Sequence, residues 1–426
     1  MTAVAPAGWE IARLRFRARV NPKASFDLDP AMSVSFLPMD AIGDDGSLRL
    51  DQIRVVSEVS QGYTYFEDGD VSIAKITPCF ENGKGAVMQG LVEGAGFGTT
   101  ELIVLRPEPT VDARFLYYLT QSSHFRDPGE AAMLGAGGQK RVPDLYVKDF
   151  ETAWPSKSTQ SAIASYLDAE TKRIDGLLAE KTLLLGMLEE YRSSAIFELL
   201  EGDASRGSQG CDPKLGWLRS VPSHWVVCGL GKRYEVQLGK MLDAKQITGE
   251  HLRPYLRNQD VQWRHINVDN LPLMDFDAAD QQKFSLQKGD VLVCEGGEVG
   301  RAAVWNSDFE CFYQKAIHRL RPLTSEDEPE FVVLLLETAV KHGVFNTAEK
   351  STIAHLPADQ LRQHRFPFPP RSEQRQIVDQ SRLVSDRVRE LQKHVATEIE
   401  MLKDLRSSTI TDAVLGRIDV RHHMKN

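Results

Sequence analysis

The chain contains one long internal repeat. Residues 155–202 and 369–416 align without a gap at a constant offset of 214 positions. Both copies open with Pro-x-x-Ser-x-Gln-x-x-Ile and close with Arg-Ser-Ser-x-Ile. A repeat unit of about half of the 426 residues excludes a solenoid of short repeats, and it predicts a chain made of two similar halves.

Each copy of the repeat carries a helical pattern of apolar residues. Alternating steps of four and three from Ile163 and Ile377 reach mostly apolar side chains, as in a coiled coil. No proline interrupts either copy, Ser158 and Ser372 are candidate helix N-caps, and both copies end at glycine. The predicted seam residues are Ile163, Leu167, Ile174, Leu177, Leu184 and Leu188 in the first copy, and Ile377, Val384, Val388, Leu391, Val395 and Leu402 in the second.

The two predicted helices are expected to pack against each other. Their shared seam favours this arrangement over two unrelated amphipathic helices that each pack on their own domain. Because a globular segment separates the helices, antiparallel pairing is the easier topology, and such pairing of equal repeats creates a pseudo-two-fold axis. The polar seam residues Lys181 and Glu398 are then expected to meet near the centre of the pair.

A strand-rich mixed segment precedes each helix. We predict a first globular domain at residues 1–155, a helix at 156–207, a second globular domain at 208–368, and a second helix with a tail at 369–426. Pro-x-x-Trp, Gly-Asp-Val and Leu-Arg-Pro recur in both globular segments, and Gly-Asp before a β-rich run predicts a turn that enters a strand. The expected fold class is α+β, with two mixed domains joined by two long antiparallel coiled-coil helices.

Composition restricts the class of protein. The chain is 42% hydrophobic and 26% charged, as in globular proteins, and no apolar run is long enough to span a bilayer. The N-terminus lacks the features of a secretory signal, and five cysteines without a Cys-x-x-Cys pair predict reduced thiols, so we expect a cytoplasmic protein without a membrane partner. The net charge of −9 argues against DNA binding by charge alone, although net charge does not report how charge is distributed.

No catalytic motif occurs in the sequence. The Asn/Asp-Pro-Pro-Tyr/Phe loop of amino-methyltransferases, the Gly-x-Ser-x-Gly elbow and the His-Glu-x-x-His motif are all missing. A nuclease-like set could be assembled from Asp144, Glu170 and Lys172, but Glu170 falls within the helical seam. We therefore expect no catalytic residue and no metal site in this chain, which favours a binding subunit.

Several polar residues are candidate DNA contacts. Gly135–Gly138 leads into Gln139, Lys140 and Arg141, and either an ordinary tight turn or a DNA-contacting loop fits this pattern. Arginine and lysine side chains contact phosphates or guanine, and glutamine contacts adenine. The candidates are Lys75, Lys84, Thr100, Gln139, Lys140 and Arg141 in the first half, and Arg301, Gln314, Lys315, Ser351, Thr352 and His355 in the second.

A strand predicted over Arg13–Val20 places four arginines on one face. This face would be either a phosphate-facing stripe or the solvated outer side of the strand.

Long ordered motifs resemble a known family. The chain is similar to the specificity (S) subunits of type I DNA restriction–modification systems, the HsdS family. The motifs that carry the resemblance lie at residues 69–86, 99–107 and 163–175 in the first half, and at 215–225, 289–293 and 369–374 in the second. The resemblance implies two target-recognition domains, each of which reads one half of a split site in double-stranded DNA. It also implies that the helices form the spacer and the docking surface for two methyltransferase (M) subunits.

The same resemblance places the chemistry in partner subunits. It implies that the M subunits hold S-adenosylmethionine and methylate adenine N6, and that two restriction (R) subunits use ATP and Mg²⁺ to translocate and cleave DNA. This chain would hold no cofactor and would not be an enzyme. The alternatives are an S-like subunit of a methylation-only or related system, and a coiled-coil scaffold without a role in DNA binding.

Overall fold

Two compact units make up the protein. The computed structural model describes residues 6–24, 28–136, 138–202, 208–210, 215–241, 249–345 and 355–420. Unit 1 consists of Met1–Leu183 and Val395–Asn426, and unit 2 consists of Leu184–His394. Each unit therefore contains one globular segment and a part of each repeated helix.

The first globular segment is a mixture of short strands and helices that leads into a long helix. Its strands are β1 (Glu10–Arg13), β2 (Ala18–Val20), β3 (Ser33–Leu37), β4 (Ile53–Val55), β5 (Thr64–Glu67), β6 (Val71–Ala74), β7 (Gly85–Val87), β8 (Ala95–Gly98), β9 (Leu102–Pro107), β10 (Leu134–Ala136), β11 (Gln139–Arg141) and β12 (Glu151–Trp154). Its helices are α1 (Val56–Val59), α2 (Ala113–Gln121), α3 (Ser123–Ala131) and α4 (Asp144–Asp149), and the long helix is α5 (Lys157–Glu201).

The second globular segment has the same kind of composition. Its strands are β13 (Ser208–Gly210), β14 (Ser220–Pro222), β15 (Val226–Gly229), β16 (Tyr234–Leu238), β17 (Leu252–Leu256), β18 (Val261–Gln262), β19 (His265–Ile266), β20 (Leu273–Asp275), β21 (Val291–Cys294), β22 (Ala302–Val304), β23 (Phe312–Tyr313), β24 (Ile317–Pro322) and β25 (Arg365–Phe368). Its helices are α6 (Ala278–Phe284), α7 (Pro329–Lys341) and α8 (Ala358–Gln363), and the second long helix, α9 (Arg371–Val414), follows.

The sheet topology repeats between the units. Unit 1 contains an antiparallel sheet of order β2-β9-β6-β7, and unit 2 contains one of order β16-β24-β21-β22. A second sheet in each unit includes one parallel pair, β3 with β8 in unit 1 and β17 with β23 in unit 2. The strand before each long helix pairs antiparallel with a strand at the start of its segment, β12 with β1 and β25 with β15. The expected duplicated α+β fold is confirmed.

The recurring Gly-Asp-Val and Leu-Arg-Pro motifs bond to each other across the central strands. Asp70, which is buried at the start of β6, accepts two hydrogen bonds of 2.8 Å from Arg106 of β9. Asp290 accepts the corresponding pair from Arg321, at 2.8 and 2.7 Å. A bidentate Arg–carboxylate pair has a fixed geometry, so in both units this pair helps to hold the two central strands side by side.

The long helices pack into the core of each unit. In unit 1, Ile163 and Leu167 of α5 share a core with Ile410 and Val414 of α9. Ion pairs of Lys181 with Glu398 and of Asp175 with Arg406 show that the two helices run antiparallel there. In unit 2, the last turns of α5 and the first turns of α9 contribute Ile196, Leu200, Ile377 and Val378 to one core.

The predicted seam residues differ in how deeply they are buried. Leu184 is 36% exposed. The buried seam residues are Ile163, Leu167, Ile174, Ile377, Val388 and Val395, and the partly buried ones are Leu177, Leu188, Val384, Leu391 and Leu402.

Two local predictions are wrong. Ser156 rather than Ser158 caps α5, because its hydroxyl accepts from the Thr159 N–H at 3.3 Å, and Ser372 lies inside the first turn of α9. The strand predicted over Arg13–Val20 is broken by a 3-10 turn at Leu14–Phe16.

The break follows from a change of strand partner. The side chain of Leu14 is buried in the core of unit 1, and its N–H donates to the carbonyl of Phe150. The chain pairs with β12 before this turn and with β9 after it. Arg13, Arg15, Arg17 and Arg19 each form an ion pair with a carboxylate.

Candidate nucleic-acid interface

Three polar segments of unit 1 meet beside the central strands. Lys75 follows β6, Glu101 precedes β9, and Arg141 ends β11. The Lys75 N–H donates to the Glu101 carbonyl at 2.8 Å, and the Lys75 carbonyl accepts from the Val142 N–H at 2.8 Å. These bonds place the candidates Lys75 and Arg141 next to each other, with Thr100, Gln139 and Lys140 on the adjoining segments.

Unit 2 builds the same backbone frame with other side chains. The Glu295 N–H donates to the Ala316 carbonyl at 3.0 Å, and the Glu295 carbonyl accepts from the Leu356 N–H at 2.9 Å. An isolated bridge joins Gly296 to His355, as one joins Ile76 to Arg141 in unit 1. Glu295 therefore occupies the position of Lys75, Ala316 that of Glu101, and His355 that of Arg141.

The side chains in the unit 1 frame are mostly cationic. Arg141 donates to Glu101 at 2.7 Å, and this hydrogen bond holds the pKa of Glu101 below its ordinary value. Lys75 is partly buried, and among the described residues its ammonium forms no hydrogen bond or ion pair but acts on Glu101 through its charge. Thr100, Gln139 and Lys140 are exposed. The surface thus offers donors for phosphates or for base acceptors.

The unit 2 frame has a carboxylate at its centre. Glu295 is 8% exposed, burial raises its pKa, and the Nε2 atom of His355 lies 3.2 Å from its Oε1 atom. Glu295, Gln314 and Lys315 line one concave surface of about 310 Å³. Sequence reasoning missed Glu295, although it stands five residues after Asp290 as Lys75 stands five after Asp70.

Lys84 and Arg301 hold neighbouring backbone segments together. The Lys84 carbonyl accepts from the N–H of Ala74, the last residue of β6. The Arg301 carbonyl accepts from the N–H of Cys294, the last residue of β21. The Lys84 ammonium donates to the Met39 carbonyl at 3.1 Å, and the Arg301 guanidinium donates to the Asn258 carbonyl at 3.1 Å. The side chains of Lys84 and Arg301 therefore bond to backbone atoms within their own units. The candidates Ser351 and Thr352 lie outside the described residues.

The residues of the nuclease-like set have other partners. Asp144 accepts from the Asn21 side chain at 2.8 Å, and Glu170 pairs with Arg173 one turn along α5. Within the described ranges, no group of three or more His, Cys, Asp or Glu side chains is arranged to hold a metal ion.

None of the helices that the structure describes combines the length and the apolar character needed to cross a lipid bilayer.

The structure thus contains two similar units, each with a polar cluster beside its central strands. Residues 222–401 match the family described as "Type I restriction modification DNA specificity domain". The chain is 25% identical over 459 aligned residues to the Escherichia coli type I restriction enzyme EcoAI specificity subunit, which covers 88% of this chain and 77% of that protein. It is 40% identical over 217 residues to the Escherichia coli EcoEI specificity subunit, which covers 49% and 36% respectively.

Solved structures share the fold. A chain from a structure of the type I R-M system superposes with a TM-score of 0.77 at 19% identity, over 97% of this chain and 100% of that one. The HsdS subunit from Thermoanaerobacter tengcongensis superposes with a TM-score of 0.61 at 19% identity, over 98% and 99%. Over most of its length the chain is thus similar to type I restriction–modification specificity subunits, and the function that this similarity supports is DNA target recognition within such a complex.

Proposed function

We propose that the chain reads a bipartite target in double-stranded DNA, with one half-site read by each unit. The observation that supports this is the shared backbone frame with different side chains, Lys75 and Arg141 in unit 1 against Glu295 and His355 in unit 2. Each base pair presents its own pattern of donors and acceptors in the major groove. Two equal frames with different polar groups therefore suit two different half-sites.

The chemistry is proposed to lie in partner subunits in the cytoplasm. The M subunits would hold S-adenosylmethionine and methylate adenine, and two R subunits would supply ATP- and Mg²⁺-dependent restriction. This chain would hold no cofactor and would direct both activities by choosing the site. The long helices would set the number of unread base pairs, so a seven-residue insertion in α5 should change the spacer and leave the half-site bases unchanged.

Equivalent apolar positions support two docking sites for two M subunits. Met187 and Tyr191 lie one turn apart on α5 in unit 2, and Met401 and Leu405 hold the same repeat positions on α9 in unit 1. Each of these side chains is between 45% and 64% exposed. Exposed apolar side chains that lie next to each other on a surface are a feature of protein–protein contact sites.

The mass of the complex tests this stoichiometry. With M187E and Y191E together we expect the chain to retain one M subunit, and with M401E and L405E added we expect it to retain none. E190K is the control, because it changes a charge at an exposed position of α5 next to Tyr191. This variant should retain two M subunits. Two M subunits on every variant would contradict the docking proposal.

A methylation map tests the recognition function itself. Host DNA is sequenced for methylated adenines with and without this gene, in the presence of the partner genes. We expect one split motif to disappear when the gene is deleted. An unchanged map would contradict the proposal, and restriction of unmethylated phage in the same strains reports whether R subunits take part.

A further inference from the structure

We propose that Glu295 is a base-reading residue of unit 2, whose carboxylate accepts a hydrogen bond from the exocyclic amino group of cytosine or adenine. The inference rests on the proposed half-site function. It adds which residue reads a base in unit 2 and which chemical group of the base it reads. By the same frame, Lys75 of unit 1 is the counterpart and donates to guanine or thymine.

The position of Glu295 comes from backbone bonds that both units share. Its N–H and carbonyl are fixed by Ala316 and Leu356, at 3.0 and 2.9 Å, as those of Lys75 are fixed by Glu101 and Val142. Neither side chain is needed for these bonds, because both partners are backbone atoms. The frame therefore holds the residue in place and leaves its chemical identity free to differ between units.

The surroundings of Glu295 are those of a DNA-facing surface. Lys315 and His355 are exposed beside it, and Gln314 lines the same concave surface. Cations and an amide suit phosphate and base contacts, whereas a carboxylate repels phosphates. A carboxylate at the centre of such a cluster is useful to DNA binding when it meets a base donor.

The major groove supplies that donor. Cytosine N4 and adenine N6 are the amino groups that its edge presents, and acidic side chains accept from cytosine N4. His355 lies against Oε1 of Glu295, and the structure gives the Oε2 atom no partner among the residues it describes. One carboxylate oxygen is thus oriented by the histidine, and the other is left to accept from a base.

Charge-altering variants of the assembled complex test the proposal. Methylated motifs are mapped for complexes that carry wild-type chain, E295Q, E295K, or K75Q as the reciprocal variant. E295K places the unit 1 charge in the unit 2 frame and should shift one base pair of the second half-site, with a preference change on the order of tenfold. K75Q should alter one base pair of the first half-site only.

A matched carboxylate serves as the control. Ala316 precedes β24, whereas Glu326 is exposed in the loop that follows the other end of this strand. E326Q should therefore leave the methylated motif unchanged. Binding of each complex to duplexes with single base-pair changes gives the same preference without methylation. If E295K does not assemble, E295Q still tests the proposal, because it removes the charge and preserves the size of the side chain.

The outcomes separate this inference from the function it rests on. If the wild-type complex yields no split motif, the proposed function fails. If the wild type yields one and E295Q and E295K retain every base preference, the role of Glu295 is overturned. A uniform loss across all sequences, or a change in the first half-site with the second unchanged, would also overturn it, because only base reading predicts a change confined to one base pair.

Discussion

Gln160 and Gln374 hold the same place in the two halves of the chain and make the same two hydrogen bonds. The Gln160 side-chain amide donates to the Pro155 carbonyl at 2.9 Å and accepts from the backbone N–H of the residue that precedes α2, also at 2.9 Å. Gln374 donates to the Pro369 carbonyl at 2.9 Å and accepts from the residue before α7 at 2.9 Å. The glutamine of the repeated motif thus ties the start of each long helix to the main helix of its globular segment.

Replacing Gln160 with alanine should destabilise unit 1. Gln160 is buried, and its loss leaves the Asp112 N–H and the Pro155 carbonyl without their partner. An unpaired buried polar group costs roughly 1–3 kcal/mol. We expect faster amide hydrogen exchange in unit 1 and unchanged exchange in most of unit 2.

The second glutamine provides the mirror experiment. Q374A should speed exchange in unit 2 instead, whereas alanine at Gln380, which is exposed on the same helix, should change neither unit. Equal effects of Q160A on both units would contradict the local role.

The glycines that end the long helices should not tolerate a side chain. Gly202 and Gly416 have φ values of +71° and +70°. A Cβ atom at Gly202 would lie 2.5 Å from Cγ of Pro222, and one at Gly416 would lie 2.8 Å from Cζ2 of Trp9. Since left-handed backbone and close approach both exclude alanine, G202A and G416A should each cost more than about 1 kcal/mol in urea unfolding.

Two other glycines of α5 give the opposite expectation. A Cβ atom at Gly176 or Gly186 would meet no atom within 4 Å. Alanine is better than glycine inside a helix by roughly 0.5–1 kcal/mol, so G176A and G186A should stabilise the protein. If all four alanine variants lost stability alike, the contact argument for Gly202 and Gly416 would be wrong.

Lys181 and Glu398 meet as the helical pattern predicts, with Nζ 2.5 Å from Oε2. Both side chains are substantially exposed, and exposed ion pairs contribute roughly 0.2–1 kcal/mol. K181E should therefore lower the stability of unit 1 slightly, and adding E398K should restore it. A double-mutant cycle in low and high salt measures the coupling, which should shrink as salt rises; a coupling of zero in low salt would contradict the pairing.

Local patterns in the sequence predicted the two long helices and the turns before two of the central strands, and long-range bonds decided the rest. The seam and the two turns before β6 and β21 follow from spacing along a single segment. Leu14 breaks its predicted strand because its partners are Phe150 and the core, which lie far along the chain. The roles of Lys84 and Glu295 were missed for the same reason. Only the folded structure shows that Lys84 bonds to the backbone and that Glu295 lines the concave surface.

Acidic pH should weaken unit 2 through His318. This histidine is buried and donates from Nε2 to the Leu356 carbonyl at 2.8 Å, and burial lowers its pKa below the ordinary value. Below about pH 6.5 the unfolded chain therefore binds a proton that the folded chain does not, so stability is full above this pH and falls as the pH drops further. Urea unfolding at pH 7.5 and 5.5 should show the loss.

Variants separate His318 from the other histidines. Glutamine at position 318 retains a side-chain donor and does not titrate, so H318Q should lose less stability between pH 7.5 and 5.5 than the wild type. His124 and His364 also have pKa values lowered by burial, so part of the acid sensitivity should remain. Glutamine at the exposed His394 should leave the pH dependence as it is in the wild type. Should H318Q and wild type lose equal stability on acidification, His318 would not be a source of the effect.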